Sequence, residues 1–458
     1  GDAMTTAENN TAVGYIALSG ATTGSGNTAL GSIALNSVTT GSANVAVGQE
    51  SLRFNTASDN TAVGYQSLNN NTTGTRNVAV GAFALDANTT ASEITAVGYF
   101  ALSAHSTGLR NTAIGFEAGK GITTGADNVI VGGDAATAIT TGASNTVMGR
   151  QALRAVTTAS NNTAIGTSAL RFTTGSSNTA VGDQAGYNNT TGQFNVLIGK
   201  QAGYRSAGAG SIGDASVLIG LQAGYANQGN NNVAIGNGTL TANTTGTFNT
   251  AVGQGALASN TSAAVNTACG TQALQANTTA SYNTALGYQA GFLSNANYNT
   301  FIGQYAGYNT TSGVSNTFVG YGSGHNVIGG TGGYNTFIGD NAGTTTTSGA
   351  KNTILGRYNG NQGGLDIRTS SNYIVLSDGD GNPRGVFDSS GNLLVGRTSA
   401  LNSAHTFTKS HGDNVAVFEN QASSGAIYGA QVRFSQQDPN NTSSLFYGAY
   451  ALSGGSLV

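Results

Sequence analysis

A five-residue phrase recurs along most of this chain and limits what the chain can fold into. Its plainest form is Asn60-Thr61-Ala62-Val63-Gly64. Counted by its closing glycine, here called the marker glycine, it occurs twenty-one times, at positions 14, 31, 48, 64, 81, 98, 115, 132, 149, 166, 182, 199, 220, 236, 253, 270, 287, 303, 320, 339 and 356. Fourteen of the twenty steps are 17 residues, four are 16, one is 19 and one is 21. A period held over about 350 residues is the signature of a solenoid.

Each repeat reads as a short strand that enters a turn. The position three residues before the marker is always Thr or Val, and the position just before the marker is always apolar. A β-branched, apolar segment closed by Gly favours a strand and then a turn. Such strands can stack in parallel at about 4.8 Å per repeat, or roughly 95 Å for twenty steps. The sequence therefore predicts an all-β fold, a parallel β-roll or β-helix solenoid of about 21 coils with a period near 17 residues.

Asparagine occupies the position four residues before the marker in 19 of the 21 repeats, and only Ile94 and Ser216 break this Asn column. Amide side chains repeated at one point of every coil can form a ladder along the axis, each bonded to the next. The alternative is that these residues are ordinary turn asparagines. The representative ladder positions are Asn10, Asn60, Asn77, Asn111, Asn249 and Asn352.

Both faces of each strand are apolar, because neighbours such as Ala62 and Val63 point to opposite sides. One face can line the coil interior, and the other needs a partner, for which a self-associated fibre is the simplest. The single cysteine, Cys269, stands where other repeats carry Val or Ile; we expect it to be a small buried hydrophobe, and it can form no disulfide within one chain. The predicted core includes Val63, Val80, Ile114, Val252, Cys269, Phe301, Phe318 and Phe337.

Comparison of the repeats reveals a packing rule. Where the residue two before the marker is large, as in Phe318, the residue four after the marker is small, as in Gly324. We therefore expect the two positions to fill one space. Val147, which keeps Leu153, is an exception. The seven pairs are Ile130 with Ala136, Leu197 with Gly203, Leu218 with Gly224, Phe301 with Gly307, Phe318 with Gly324, Phe337 with Gly343 and Ile354 with Gly360.

Composition fits a repetitive structural protein better than a conventional enzyme. Of 458 residues, 70 are Gly, 2 are Pro and 8% are charged, while regularly placed aliphatic residues argue against disorder. The net charge of -3 offers no basic stripe for nucleic acid. No apolar run is long enough to cross a membrane, so we expect no membrane insertion in this segment. The start at Gly1 predicts a chain that lacks its true beginning.

The order of segments predicts four regions. Residues 1–9 are a lead-in, 10–356 the repeat solenoid, 357–403 a β-hairpin connector, and 404–458 a β-rich tip or collar. The 21-residue step, around 206–210, and the 19-residue step, near 329–333, are expected to bulge outward as surface insertions. Strong turn signals at 378–382 and 389–391 separate the strands of the connector.

A family resemblance rests on the stretch at 60–68, Asn-Thr-Ala-Val-Gly-Tyr-Gln-Ser-Leu, followed by Asn-Thr-Thr-Gly at 71–74. These repeats resemble those of bacteriophage tail-fibre proteins and are similar to the head repeats of trimeric autotransporter adhesins. The resemblance covers roughly residues 10–356 and implies a left-handed parallel solenoid with three chains to a fibre. The period of about 17 residues is longer than the coil usual in the adhesin heads. Residues 386–396 resemble the segment that precedes a C-terminal self-cleaving chaperone in phage fibres, a domain absent from this chain.

Candidate chemistry is sparse. Asp378, Asp380 and Asn382 have the alternate spacing of a calcium loop, but Pro383 and Ser389 replace the expected Gly and Glu, so an ordinary hairpin turn is favoured. His105, His325, His405 and His411 are scattered, and we expect surface roles for them rather than a metal site. The acids of residues 1–356 do not recur at one coil position, which disfavours a glycan-cleaving pair of carboxylates. Thr-rich turns leave ice binding and glycan attachment as minor alternatives.

These observations predict a non-enzymatic, homotrimeric, extracellular fibre without a cofactor. It would attach a virion tail to a host cell surface by binding a glycan or a protein receptor. The first alternative is a bacterial trimeric surface adhesin or a secreted filament. A carbohydrate-degrading tailspike is the second.

Overall fold

The computed structural model describes residues 4–205, 210–328 and 332–395, and the backbone of three short strands at 405–407, 417–419 and 431–433. These residues form strands and turns and no α-helix. The chain divides into two compact units, Gly1–Asn249 and Thr250–Val458. The predicted fold class is confirmed: the repeats form a parallel β-solenoid of about 21 turns with a period of about 17 residues.

In the first unit, successive strands from the first coil to the fourteenth pair in parallel, each with the strand of the next coil. The register joins equivalent positions, as in Ala62 opposite Ala79. The register also continues past the 21-residue step, where Val196 lies opposite Val217. The predicted bulge at 206–209 lies outside the described residues. The strands are β1 (Thr11–Val13), β2 (Thr28–Leu30), β3 (Val45–Val47), β4 (Thr61–Val63), β5 (Val78–Val80), β6 (Thr95–Val97), β7 (Thr112–Ile114), β8 (Val129–Val131), β9 (Thr146–Met148), β10 (Thr163–Ile165), β11 (Thr179–Val181), β12 (Val196–Ile198), β13 (Val217–Ile219) and β14 (Val233–Ile235).

The second unit begins with seven further coils of the same kind. Their strands are β15 (Thr250–Val252), β16 (Thr267–Cys269), β17 (Thr284–Leu286), β18 (Thr300–Ile302), β19 (Thr317–Val319), β20 (Thr336–Ile338) and β21 (Thr353–Leu355). Thr317 lies opposite Thr336, so the 19-residue step also leaves the register unchanged. Residues 329–331 of the second predicted bulge lie outside the described part.

After the last repeat, the parallel stack ends in antiparallel strands. A two-stranded hairpin, β22 (Asn361–Gln362) and β23 (Leu365–Asp366), precedes β24 (Ile374–Ser377), which still pairs in parallel with β21. β25 (Pro383–Phe387) and β26 (Leu393–Val395) then continue as an antiparallel meander. Beyond them, β27 (His405–Phe407) runs parallel to β26 and is followed by antiparallel β28 (Val417–Glu419) and β29 (Gln431–Arg433). The rest of the expected tip at 404–458 lies outside the described residues.

Only the middle residue of each repeat strand points into the coil. In β4, Ala62 is buried, Thr61 is half-buried and Val63 is exposed. The remaining interior positions belong to the Asn column and to residues such as Ala84 and Leu85, which follow the marker. The coil interior is therefore already filled by small and medium side chains.

The predicted core was partly wrong. Val63 and Ile114 are 36% and 42% exposed, and Val80, Val252 and Cys269 are half-buried. These five side chains occupy the third position of their strands, and alternation along a strand directs that position outward. Phe301, Phe318 and Phe337, at the middle position, are fully buried as predicted.

The marker glycine is required by the close spacing of the coils. Gly64 has a φ of +134°, and a Cβ built on it would lie 2.6 Å from the carbonyl carbon of Gly81 in the next coil. A Cβ built on Gly81 would likewise lie 2.4 Å from the carbonyl oxygen of Gly98 in the following coil. Any side chain at these positions would push neighbouring coils apart.

The same kind of contact confirms the packing rule for the phenylalanine pairs but not for Ile354 with Gly360, where an added Cβ would lie nearest to Thr346 and Thr345. A Cβ on Gly324 would lie 2.4 Å from the ring of Phe318, and one on Gly343 would lie 2.4 Å from the ring of Phe337. The large side chain thus fills the volume that a Leu such as Leu68 fills in other coils. Phe318 and Phe337 stack on each other, with ring centroids 5.0 Å apart.

Candidate binding surfaces

The predicted Asn column forms a ladder whose rungs run mainly from side chain to backbone. Ile94, which has no side-chain acceptor, interrupts this ladder in the first unit. The backbone N–H of Asn77 donates to Oδ1 of Asn60 at 3.0 Å, and Nδ2 of Asn60 donates to the carbonyl of Gly74 at 2.9 Å. Direct amide–amide bonds occur in some coils, as from Asn44 to Asn27 at 3.0 Å. The Asn side chains bond mainly to the backbone because its buried N–H and C=O groups need hydrogen-bond partners. Asn10, Asn111, Asn249 and Asn352 make equivalent bonds with neighbouring coils.

Sequence reasoning missed a second Asn column, seven residues after the marker, whose rungs are direct amide–amide bonds. Nδ2 of Asn71 donates to Oδ1 of Asn55 at 2.6 Å, and Nδ2 of Asn88 donates to Oδ1 of Asn71 at 2.8 Å. The signal was present in the sequence but weaker, because Ala21 and Val38 stand at the same position in earlier coils.

His105 occupies this second column in the coil after Asn88 and is fully buried, so the expected surface role is wrong for it. Nδ2 of Asn111 donates to its Nε2 at 2.9 Å. Burial lowers the pKa of the His105 imidazole to about 4, because the charged form would lose its hydration. His325 is half-buried and stacks on Tyr308, and the side chains of His405 and His411 lie outside the described residues.

The weak calcium candidate is a hydrogen-bonded hairpin turn between β24 and β25. Oδ1 of Asp378 accepts from the backbone N–H groups of Asp380 and Asn382, at 3.0 and 2.8 Å. The Arg384 guanidinium donates to the other oxygen and stands where a cation would have to bind. The hydrogen bond from the backbone N–H of Asn382 and the bond from the Arg384 guanidinium lower the pKa of the Asp378 carboxyl to about 2. Asp388 and Asn392 repeat the arrangement in the next turn.

Several acids pair with bases at equivalent positions of neighbouring coils. Arg76 bonds Glu93 at 2.9 Å, and Arg110 bonds Asp127 at 2.7 Å, both pairs being solvent-exposed. Within the described ranges, no group of three or more His, Cys, Asp or Glu side chains is arranged to hold a metal ion. These charges therefore contribute to coil-to-coil contacts at the surface, where each pair adds little stability.

The first and third residues of the repeat strands form what we call the outer strand face. No charged residue occurs at either position in β1–β21, where only Thr, Val, Leu, Ile, Met and Cys are found. Tyr65, Tyr99 and Phe116, which follow marker glycines, extend this apolar surface around the corner of the coil. Large exposed side chains at the third position are Val13, Leu30, Val63, Ile114, Met148, Ile198 and Ile235 in the first unit, and Leu286, Ile338 and Leu355 in the second.

A second exposed column lies immediately before the Asn column, and we call it the pre-Asn column. In the first unit it contains the paired charges Arg76, Glu93, Arg110 and Asp127. In the second unit it contains exposed tyrosines, Tyr282, Tyr298 and Tyr334. The first unit also has two exposed phenylalanines in this column, Phe194 and Phe248.

A shallow recess near the end of the repeats is lined by Asn326, Ile328, Thr345, Thr347, Asp366, Arg368 and Thr369. Most of its polar groups already bond within the chain. Arg368 pairs with Asp366, and the hydroxyls of Thr345 and Thr347 donate to backbone carbonyls.

No protein-family model, curated protein or solved structure matches this chain. The class that the fold defines is a parallel β-solenoid. None of the described residues forms a helix with the length and apolar character needed to cross a bilayer.

Proposed function

We propose that this chain is a non-enzymatic, homotrimeric extracellular fibre, of the phage tail-fibre kind, whose repeats form a stiff shaft for attachment to a host cell surface. The observation that carries the proposal is the outer strand face, which bears no charge in any repeat strand and presents an exposed apolar side chain at the third position of ten of them. A soluble protein rarely leaves so long an apolar surface uncovered.

A second copy of the same chain fits this face better than an unrelated partner. The apolar rows recur once per coil, so identical chains laid side by side match row for row. In the first unit alone, fourteen strands at about 4.8 Å spacing and roughly 10 Å in width give about 650 Å² per chain. A standard stable interface buries about 800 Å² per partner, and the neighbouring aromatic residues add to the face. The resemblance of the repeats to tail fibres and adhesin heads supports three copies.

Assembly is tested by light scattering on the intact chain. We expect three times the chain mass of 45.5 kDa. The double variant Ile114→Lys with Met148→Lys places charges on the outer strand face at exposed positions, and we expect it to give the mass of one chain with unchanged β-structure by circular dichroism. A wild-type mass of one chain would overturn the proposal.

A matched control places the same charges elsewhere on the same coils. Thr124→Lys with Thr158→Lys lies in exposed turns, and we expect the trimer mass to persist. If both double variants dissociate alike, the outer strand face is not the interface.

Attachment and the absence of catalysis are tested separately from assembly. The labelled chain is expected to stain the surface of a susceptible bacterial strain within a panel, in competition with unlabelled chain. Incubation with polysaccharide from that strain should release no reducing ends. Release of reducing ends would instead support a tailspike.

A further inference from the structure

The pre-Asn column of the second unit carries aromatic rings that the fold does not require. Tyr282, Tyr298 and Tyr334 are 54%, 58% and 62% exposed. In the first unit the equivalent position accepts small residues such as Ser144 and Ser177 with the same left-handed backbone, at φ 57° and 61°. The tyrosines contribute little to the core, so a role at the surface has to be sought.

Backbone bonds keep this column in register through four successive coils. Tyr298 N–H donates to the carbonyl of Ser281 at 3.2 Å, Ser315 N–H to Asn297 at 3.1 Å, and Tyr334 N–H to Val314 at 2.9 Å. Their φ angles of 63°, 57° and 60° are nearly equal. Side chains therefore leave the backbone in the same direction at each level.

The spacing of the rings follows from a pair that is in contact. Tyr282 and Tyr298 lie in adjacent coils with ring centroids 5.2 Å apart and planes 7° from parallel. Ser315 carries no ring at the next level, and Tyr334 restores one at the level after that. Two coil rises place the positions of Tyr298 and Tyr334 about 9.6 Å apart along the stack.

We propose that Tyr298, Ser315 and Tyr334 form a slot that binds one pyranose ring of a neutral surface glycan. A flat ring stacks on an aromatic face at a distance of roughly 4.5–5 Å. The spacing between the two tyrosines is about twice this distance, so one sugar ring fits between them. The C–H faces of a pyranose carry partial positive charge and suit the negative faces of the two aromatic rings. Ser315 forms the floor of the slot.

The surroundings favour a neutral sugar over a charged ligand. From Val265 to Tyr334 the column contains no charged residue, and Lys351 comes only one coil later. Thr300 and Thr317, half-buried at the adjacent edge of the outer strand face, offer hydroxyls at coil spacing to the equatorial groups of a sugar. The inference deepens the proposed attachment role and rests on it for its biological meaning.

Affinity electrophoresis of the full chain tests the slot directly. Gels contain dextran, a β-glucan, mannan or galactan, and retardation by at least one of these neutral polymers is expected. Tyr298→Ser and Tyr334→Ser should each weaken the retarding interaction roughly tenfold. Ser315→Tyr should abolish it by filling the slot with a third ring, although it adds aromatic surface and removes no contact of the fold.

Phe194→Ser is the matched control. Phe194 is 64% exposed in the same column of the first unit, between Ser177 and Ala215, and has no ring two coils away. We expect this variant to bind as the wild type does.

Retardation of Ser315→Tyr equal to that of the wild type would overturn the slot, as would no retardation by any polymer of the panel. Light scattering on the same variants separates the slot from chain assembly. If the tyrosine variants lose the trimer mass, the column is a contact between copies and the glycan site is rejected. An intact trimer without retardation would reject the slot alone and leave the proposed fibre standing.

Discussion

At the scale of single residues, the Asn column holds the coils in register by serving two neighbouring coils at once. Asn77 shows this clearly, because its Oδ1 accepts from the backbone N–H of Ile94 at 3.0 Å and its Nδ2 donates to the carbonyl of Ala91 at 2.9 Å. Both bonds are buried, so neither backbone group has water as an alternative partner.

Replacement of Asn77 by Ala should therefore cost more than an ordinary surface substitution. The buried N–H of Ile94 would lose its partner, at a cost of about 1–3 kcal/mol, whereas the carbonyl of Ala91 would keep a bond from Nδ2 of Asn88 at 3.1 Å. We expect the free energy of unfolding to fall by about 2 kcal/mol in chemical denaturation. Asn70→Ala, at an exposed position of the same region, is the control and should change it by less than about 0.5 kcal/mol. Equal effects of the two variants would show that the ladder does not stabilise the fold.

We expect the buried His105 imidazole to destabilise the first unit in mild acid. The unfolded chain binds a proton near pH 6.5, whereas the buried imidazole binds one only near pH 4. Between these values the unfolded state holds more protons, so stability falls as the pH falls. At pH 5, His105 lowers the free energy of unfolding by about 2 kcal/mol relative to neutral pH. Asp86, whose pKa burial raises to about 6, acts in the opposite direction over the same range.

The variant His105→Asn restores the residue type of the second Asn column and removes the titrating group. Relative to wild type, it should gain about 2 kcal/mol between pH 7.5 and pH 5 in denaturant unfolding. Asp86 is present in both proteins, so its effect cancels in the comparison. Parallel pH profiles for the two proteins would refute the assignment.

At the scale of the coil, the exchange of volume between two positions defines two interchangeable coil types. One type has a small strand centre and a large residue after the marker, as with Ala62 and Leu68. The other reverses the sizes, as with Phe318 and Gly324. Each of these two types places one large side chain in the interior. Coils that are small at both positions also occur, as with Ala113 and Gly119, and there the side chains of neighbouring coils reach the space.

A double substitution can convert one coil type into the other. Gly324→Leu alone should lower the free energy of unfolding by more than about 3 kcal/mol, because its Cβ would meet the Phe318 ring. Adding Phe318→Ala should recover at least about 1–2 kcal/mol, although stacking against Phe337 is lost. A thermodynamic cycle over the four proteins measures the coupling. Additive effects would contradict a shared space.

The fold was predictable from the sequence because its information is periodic and local. The strand positions, the marker glycines and the Phe318–Gly324 exchange all follow from comparing one repeat with the next. The outward direction of Val63 was missed because an apolar residue was equated with a buried one, although strand alternation had already separated it from Ala62. The burial of His105 was missed because its column is shared by residues as different as Val38 and Asn88.

The binding surfaces were less predictable for a physical reason. Whether a turn residue is exposed depends on its backbone angles, and left-handed conformations at residues such as Tyr298 leave little trace in sequence. The two-coil spacing of Tyr298 and Tyr334 is visible in the sequence only after the column has been placed on the outside of the coil. The antiparallel meander after β24, by contrast, was signalled by its turn residues.

At the scale of the whole molecule, each coil contacts mainly its immediate neighbours, so stability should depend on complete repeats. Deletion of Thr267–Asn283 removes one 17-residue repeat and joins Asn266 to Thr284, which preserves the Asn column. We expect cooperative thermal unfolding within a few degrees of the wild type. Deletion of Thr267–Leu274, about half a repeat, should abolish cooperative unfolding, because strand and turn positions no longer coincide. Similar melting of both deletions would argue against coil-by-coil stacking.

The unchanged register across coils has an evolutionary consequence. Unequal recombination between neighbouring repeats adds or removes whole coils, and each event changes the stack in which it occurs by a step of about 4.8 Å. The surfaces at either end of that stack are not altered by such an event. The length of the stack would then change in whole-coil steps, independently of the residues that form its surface. If the chain is the proposed fibre, selection could adjust its length without altering its binding surface.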